Sequence, residues 1–210
     1  MTRTSQGELP PDSAFFTVER ERSFCLLRFT SRDRTNRMTR AFVQELTATL
    51  RHLALLNLPI VITGNQKFFS AGADLNEIAA LNGPTAFAFS RMGQALMNEI
   101  ERFPAPVCAA IFGYCLGGGL DLALACHARI ASPHAVFGHR GSALGLITGW
   151  GGTQRLPRLV GKDRALEMFV AAEKVQAVHA LRIGLIDAIA DDPVAEAIRR
   201  IGAAERGQDE

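Results

Sequence analysis

The chain holds one tryptophan, one tyrosine and four cysteines in 210 residues, and no long run of one charge. Each scarcity removes a class of function. Cys25, Cys108, Cys115 and Cys126 lie in apolar stretches at no metal-ligand spacing, so they read as reduced core thiols and suggest the cytoplasm. A net charge of +2 with no basic stripe gives nucleic acid nothing to grip. Arg32, Arg34 and Arg37 form the one basic triplet, which suits phosphates and a solvated loop equally well. The N-terminus has no apolar stretch of the signal-peptide kind. Phe103–Leu120 is uncharged over eighteen residues, but two prolines and four glycines interrupt it, so no membrane-spanning helix is expected. Tyr114, the only tyrosine, has no lysine four residues on, which disfavours a nicotinamide enzyme. No His/Cys cluster has ligand spacing, so no metal or redox cofactor is expected.

Several glycine motifs are missing as well. After Gly117-Gly118-Gly119 come Leu, Asp and Leu, which satisfies neither GxGxxG nor the P-loop. Ser70 has Phe68 where a nucleophile elbow needs glycine.

What is present is small-residue turns between apolar runs. Val107–Phe112 reads as a short buried strand bounded by Pro106 and Gly113. The three glycines make a turn with no Cβ to hold a ligand off the backbone. Leu120, Leu122, Ala123 and Leu124 continue as a helix whose only charge is Asp121. Such a helix start offers free N–H groups where an oxygen gathering negative charge could be held. Tight packing alone would also explain the glycines.

Leu58–Ile62 repeats the strand pattern and leads through Phe69-Ser70-Ala71-Gly72-Ala73-Asp74-Leu75 into a helix. Gly145–Arg155 is a third stretch of small residues. Phe15–Thr30 reads as two strands around a turn, Met38–Leu56 as a helix, and Gly83-Pro84 as a break before a helix over Phe87–Phe103. With 210 residues and 48% hydrophobic content the chain suits one α/β domain with a substantial core. The expected partition is a loose polar tail over 1–14, a core over 15–190 and a short helical segment over 191–210. Val194, Ile198 and Ile201 supply the helical spacing of that last segment.

The segments FSAGADL (Phe69–Leu75), GYCLGGGLDLALAC (Gly113–Cys126), GWGGTQRLPRLVG (Gly149–Gly161) and AEKVQAVHALRIGLID (Ala172–Asp187) occur in this order. Together they resemble the enoyl-CoA hydratase/isomerase, or crotonase, family, over roughly Ser23 to Ala190. The resemblance implies a spiral of strand–strand–helix turns, although no internal sequence repeat shows one. It implies an acyl-CoA substrate and no other cofactor. It also implies a homo-oligomer, trimer or hexamer, and a C-terminal helical region shorter here than is usual in the family.

Residue by residue, the resemblance implies that the N–H groups of Ala73 and Gly118 hold the thioester oxygen. Ala71, Gly72, Ala73, Asp74 and Leu75 would edge the CoA moiety, mainly through backbone atoms, with Arg34 and its neighbours Arg32 and Arg37 approaching the nucleotide end. Asn36 fits a turn residue better than a ligand contact. Asp121 stands where hydratases place their first catalytic glutamate. The second glutamate position is Gly141, and the extra aspartate of dienoyl-CoA isomerases falls on Gly149. His139 and Arg140 are the neighbouring groups that could supply a proton or a fixed charge, and Gly141 would leave room for a bulkier acyl group. One carboxylate suits isomerisation better than two-carboxylate hydration. Decarboxylation, hydrolysis and acyl-CoA binding without turnover stay open.

Overall fold

Apolar residues at every second position shape the opening hairpin. β1 (Phe16–Arg20) and β2 (Cys25–Phe29) pair antiparallel, with Cys25, Leu27 and Phe29 turned inward. The computed structural model describes residues 9–11 and 13–206, and the backbone alone of 204–206. The expected tail over 1–14 therefore lies mostly outside the described residues. Next come β3 (Arg37–Met38) and α1 (Arg40–Leu53). Thr39 caps α1 by accepting from the Phe42 amide, and Phe42, Val43, Leu46, Leu50 and Leu53 bury one face.

The chain then repeats one movement. β4 (Ile60–Thr63) leads to β5 (Phe68–Ser70) and β6 (Gly72–Ala73), followed by α2 (Leu75–Ala79) and α3 (Gly83–Glu101). β7 (Val107–Ile111), β8 (Tyr114–Leu116) and α4 (Gly118–Ala125) follow. The third round is β9 (Ala128–Ala131), β10 (Val136–Gly138), α5 (Gly152–Val160) and α6 (Lys162–Ala171). β11 (Val175–Gln176), α7 (Ala177–Arg182), β12 (Ala188–Ile189) and α8 (Pro193–Arg206) complete the path.

Each round gives its first strand to a six-stranded sheet, ordered β1-β2-β4-β7-β9-β12, and its second to a four-stranded sheet, ordered β11-β10-β8-β5. Ile60 lies beside Val107 in one sheet and Phe68 beside Tyr114 in the other, so both sheets advance together. That is the spiral. β3 and β6 form a separate parallel pair.

The apolar runs of β4 and β7 reflect burial on both faces. Ile60, Ile62, Val107, Ala109 and Ile111 join the main core. Val61, Cys108 and Ala110, on the opposite face, pack with Ala197 and Ile201 of α8. One expectation changes. Gly83-Pro84 opens α3 rather than preceding it, because Asn82 and Thr85 form a reciprocal cap. Proline fits a first turn, where its missing N–H would have no helical acceptor anyway.

Candidate active site

β8 is followed by Gly117, whose φ of 51° and ψ of −120° exclude most side chains, and α4 starts at the next residue. Only the first of the three glycines is therefore outside the helix. A methyl group on Gly118 would stand 2.5 Å from the Trp150 ring, and one on Gly119 2.6 Å from the Ser70 Cβ. All three glycines are needed, the first for its backbone and the others for space. The Gly118 amide, in the first turn of α4, has no acceptor within its own helix.

β6 runs alongside this turn. The Asp74 amide donates to the Met38 carbonyl at 3.3 Å, so strand alternation directs the Ala73 N–H the other way, away from β3. A Cβ on Gly118 would lie 3.3 Å from the Ala73 nitrogen, and one on Gly72 3.0 Å from the Gly118 nitrogen. The two amides predicted from separate motifs thus stand together on one cavity wall.

The cavity measures about 440 Å³. Ile78, Leu81, Phe89, Trp150 and Phe169 line it, with Leu144, Leu146 and Ile147 from the loop that leads to α5. Among the described residues lining it, Asp121 is the one carboxylate and His139 the one imidazole.

Asp121 is 1% exposed. Burial pushes its carboxyl up to about 7, against the opposing pull of a Thr148 hydrogen bond, the Arg155 charge and the Gly152 amide. Thr148 Oγ1 donates to Asp121 Oδ2. Oδ1 lies 3.4 Å from His139 Nε2, and neither atom has a hydrogen-bond partner in the structure. His139 is 4% exposed, and burial lowers its imidazole to about 4. It is thus a neutral wall group near pH 7, packed 5.1 Å from the Phe169 ring.

The other predicted residues divide. Ala71, Gly72, Ala73 and Leu75 line the cavity, as do Arg140, Gly141 and Gly149. Gly141 does not leave simple open space, since a Cβ there would sit 2.8 Å from the Leu146 carbonyl. It opens a turn in which the Leu146 amide returns to the Gly141 carbonyl. Asp74 caps α2 through the Asn76 and Glu77 amides and meets Arg37 at 3.3 Å. Arg32, Arg34 and Arg37 lie off the cavity lining. Arg37 is further held by Asp33 at 2.7 Å. Asn36 is a buried latch, with φ of 52°, whose amide donates to the carbonyls of Phe68 and Phe69.

Sequence reading missed Thr148, Trp150, Gly152, Arg155 and Phe169. The GWGGTQR segment was legible as a motif, and its density of glycine around a lone tryptophan was the available signal. Trp150 wedges between Gly93 of α3 and Gly118 of α4 and donates to the Phe89 carbonyl at 3.2 Å. Nothing local marks Thr148 or Phe169. Among the described residues no group of three His, Cys, Asp or Glu could hold a metal ion, and no helix is long and apolar enough to cross a membrane.

Known proteins resemble this chain in sequence and fold. The chain is 47% identical over 145 residues to a probable enoyl-CoA hydratase of Bacillus subtilis (strain 168). The match takes in 69% of this chain and 56% of that relative, so it spans little more than half of the relative's length. Pseudomonas aeruginosa DspI superposes with a TM-score of 0.89 at 34% identity, over 95% of this chain and 84% of DspI. An enoyl-CoA hydratase from Bacillus anthracis gives 0.84 at 33% identity, over 90% and 75% of the two chains. The family model for enoyl-CoA hydratase/isomerase matches residues 19–204. With nearly the whole described chain inside that match, the protein belongs to the enoyl-CoA hydratase/isomerase family.

Proposed function

We propose that the protein is an acyl-CoA enzyme that stabilises a thioester enolate and moves a proton beside it. The carbonyl oxygen would sit between the Ala73 and Gly118 amides, and Ala71, Leu75 and the backbone of Asp74 would edge the CoA arm. Removing a proton next to a thioester places charge on that oxygen, and fixed donors in a pocket poor in water stabilise it strongly. Asp121 supplies the proton-transfer group. A carboxyl titrating near 7 is half ionised at neutral pH, so it can both take and return a proton. The single observation that carries the proposal is this carboxylate, buried at the same cavity as the two amides.

One carboxylate on the cavity wall favours double-bond isomerisation of an enoyl-CoA, in which one group removes a proton and returns it at another carbon. Hydration is the second reading. It is supported by His139 Nε2 at 3.4 Å from Asp121, which could share the handling of a water. No cofactor beyond the CoA thioester enters either route. The four buried free cysteines suit a reducing cytoplasm. Exposed Leu166 and Val170 on α6, with Val178 and Leu181 on α7, offer apolar surface to further copies of the chain in a trimer or hexamer. Size-exclusion with light scattering tests that assembly, and a monomer at micromolar concentration would refute it.

The functional test is mass spectrometry of 2-enoyl-, 3-enoyl- and saturated acyl-CoAs with short, medium and long chains, incubated in deuterium oxide. Isomerisation moves the double bond with no added water, whereas hydration adds the mass of one water. Binding without any turnover or deuterium exchange across the panel would overturn the enzyme reading.

A further inference from the structure

Thr148 lies on the loop between β10 and α5, half-buried at the cavity wall. Its hydroxyl has one hydrogen, and that hydrogen goes to Asp121 Oδ2. Its lone pair faces the Trp150 amide at 3.5 Å, which fixes the hydroxyl from behind. The methyl group is confined too, since a Cβ on Gly152 would stand 2.9 Å from Thr148 Cγ2. Among the described residues Thr148 is the one side chain that hydrogen-bonds the Asp121 carboxyl. The other carboxyl oxygen, Oδ1, is left facing His139 Nε2 with no hydrogen-bond partner.

We propose that Thr148 is a positioning residue that holds Oδ2 as a permanent acceptor and so confines the transferable proton of Asp121 to Oδ1. An oxygen already accepting from a threonine hydroxyl is the poorer place for a proton, because protonation would make it a hydroxyl oxygen, a weaker acceptor than a carbonyl oxygen. The proton that enters or leaves the substrate then rides on one defined oxygen. The carboxyl plane is fixed before substrate arrives. The inference rests on Asp121 being the proton-transfer group.

The groups that face Asp121 from neighbouring elements are His139 after β10, Arg155 and the Gly152 amide on α5, and Cys115 on β8. Among the described residues Thr148 hydrogen-bonds Asp121 and Trp150 and none of these groups. A hydrogen bond to a carboxylate favours its charged form, so losing the hydroxyl shifts the carboxyl titration to higher pH.

The test uses Thr148→Val, which keeps the shape and removes the hydroxyl, and Thr148→Ser, which restores it. Two readouts are taken. One is the carbon-13 carboxyl titration of Asp121 in the free protein, identified by the signal lost in Asp121→Asn. The other is the pH profile of turnover for the best substrate of the acyl-CoA panel. In Thr148→Val both titrations move to higher pH, kcat falls about 10- to 100-fold and KM changes little. Thr148→Ser returns all three to near wild type. Should the valine protein not fold, Thr148→Ala against Thr148→Ser gives the same contrast. A wild-type titration in the variant that lacks the hydroxyl overturns the proposal while Asp121 keeps its role. Wild-type turnover in Asp121→Asn removes the role of Asp121 itself, a separate failure.

Discussion

Asp74 and Asp121 are two buried aspartates at helix starts, each following a glycine-containing turn, and they differ in how their oxygens are satisfied. Asp74 accepts from the Asn76 and Glu77 amides and faces Arg37. Its oxygens are occupied by the fold. Asp121 has one oxygen held by Thr148, while the other lies 3.4 Å from a neutral imidazole, close to the Gly152 backbone. A carboxylate fully engaged by its own helix stabilises structure, whereas one left short of donors in a cavity keeps a proton available for exchange. The same residue type near a helix N-terminus therefore serves two ends, and the surrounding donors decide which.

The contrast is broken most severely at Asp121. Asp121→Asn keeps size and shape but cannot exchange a proton, so turnover should fall by about 10²- to 10⁴-fold while acyl-CoA affinity persists. Steady-state kinetics beside calorimetric binding measure both. Turnover within a few-fold of wild type would erase the distinction between the two aspartates.

The same variant should be more stable than the parent at alkaline pH. The folded carboxyl is raised to about 7 and the unfolded one titrates near the ordinary value, so between roughly pH 4 and 7 the native state holds the extra proton. Wild-type stability therefore declines as pH rises through that window, by up to about 4 kcal/mol, and the penalty is complete above it. Asparagine removes the penalty. Denaturant melts should show the Asp121→Asn advantage at pH 8 and almost none at pH 4. His139 acts in the opposite direction on the acid side, since its folded value near 4 lies below the ordinary 6.5. Its contribution is lost as pH falls from about 6.5, and it cancels when the two proteins are compared.

Gly118→Ala tests the cavity wall. The new methyl must displace the Trp150 ring, which is itself wedged against Gly93. Overpacking of this kind costs about 1–3 kcal/mol, and it moves one of the two amides at the same time. Thermal melts and turnover should both decline. Asp74→Ala has the smallest expected effect. It removes a helix cap worth about 1 kcal/mol, and turnover should stay near wild type. A catalytic collapse there would mean that Asp74 does more than cap α2.

Much of the fold was legible along the chain. The apolar runs of β4 and β7, the heptad-like spacing in α1 and the small-residue turns before α2 and α4 follow from local rules of burial and backbone freedom. The start of α3 was misplaced because Gly83-Pro84 resembles a break until the Asn82–Thr85 cap is seen. The spiral itself was invisible to composition and periodicity. Its repeat lies in the path of the backbone, in which β5, β8 and β10 form a second sheet without sharing a sequence pattern.

The amino-acid order by itself determined the glycine turns, the apolar cores of the strands, the family motifs and the identity of the sole acid among the expected catalytic positions. Tertiary structure alone decided that Ala73 and Gly118 share a wall and that His139 is buried and neutral. It also decided that Thr148 and Gly152 bracket the carboxyl of Asp121. Local rules act within a few residues, whereas desolvation and convergence depend on atoms brought together from distant parts of the chain.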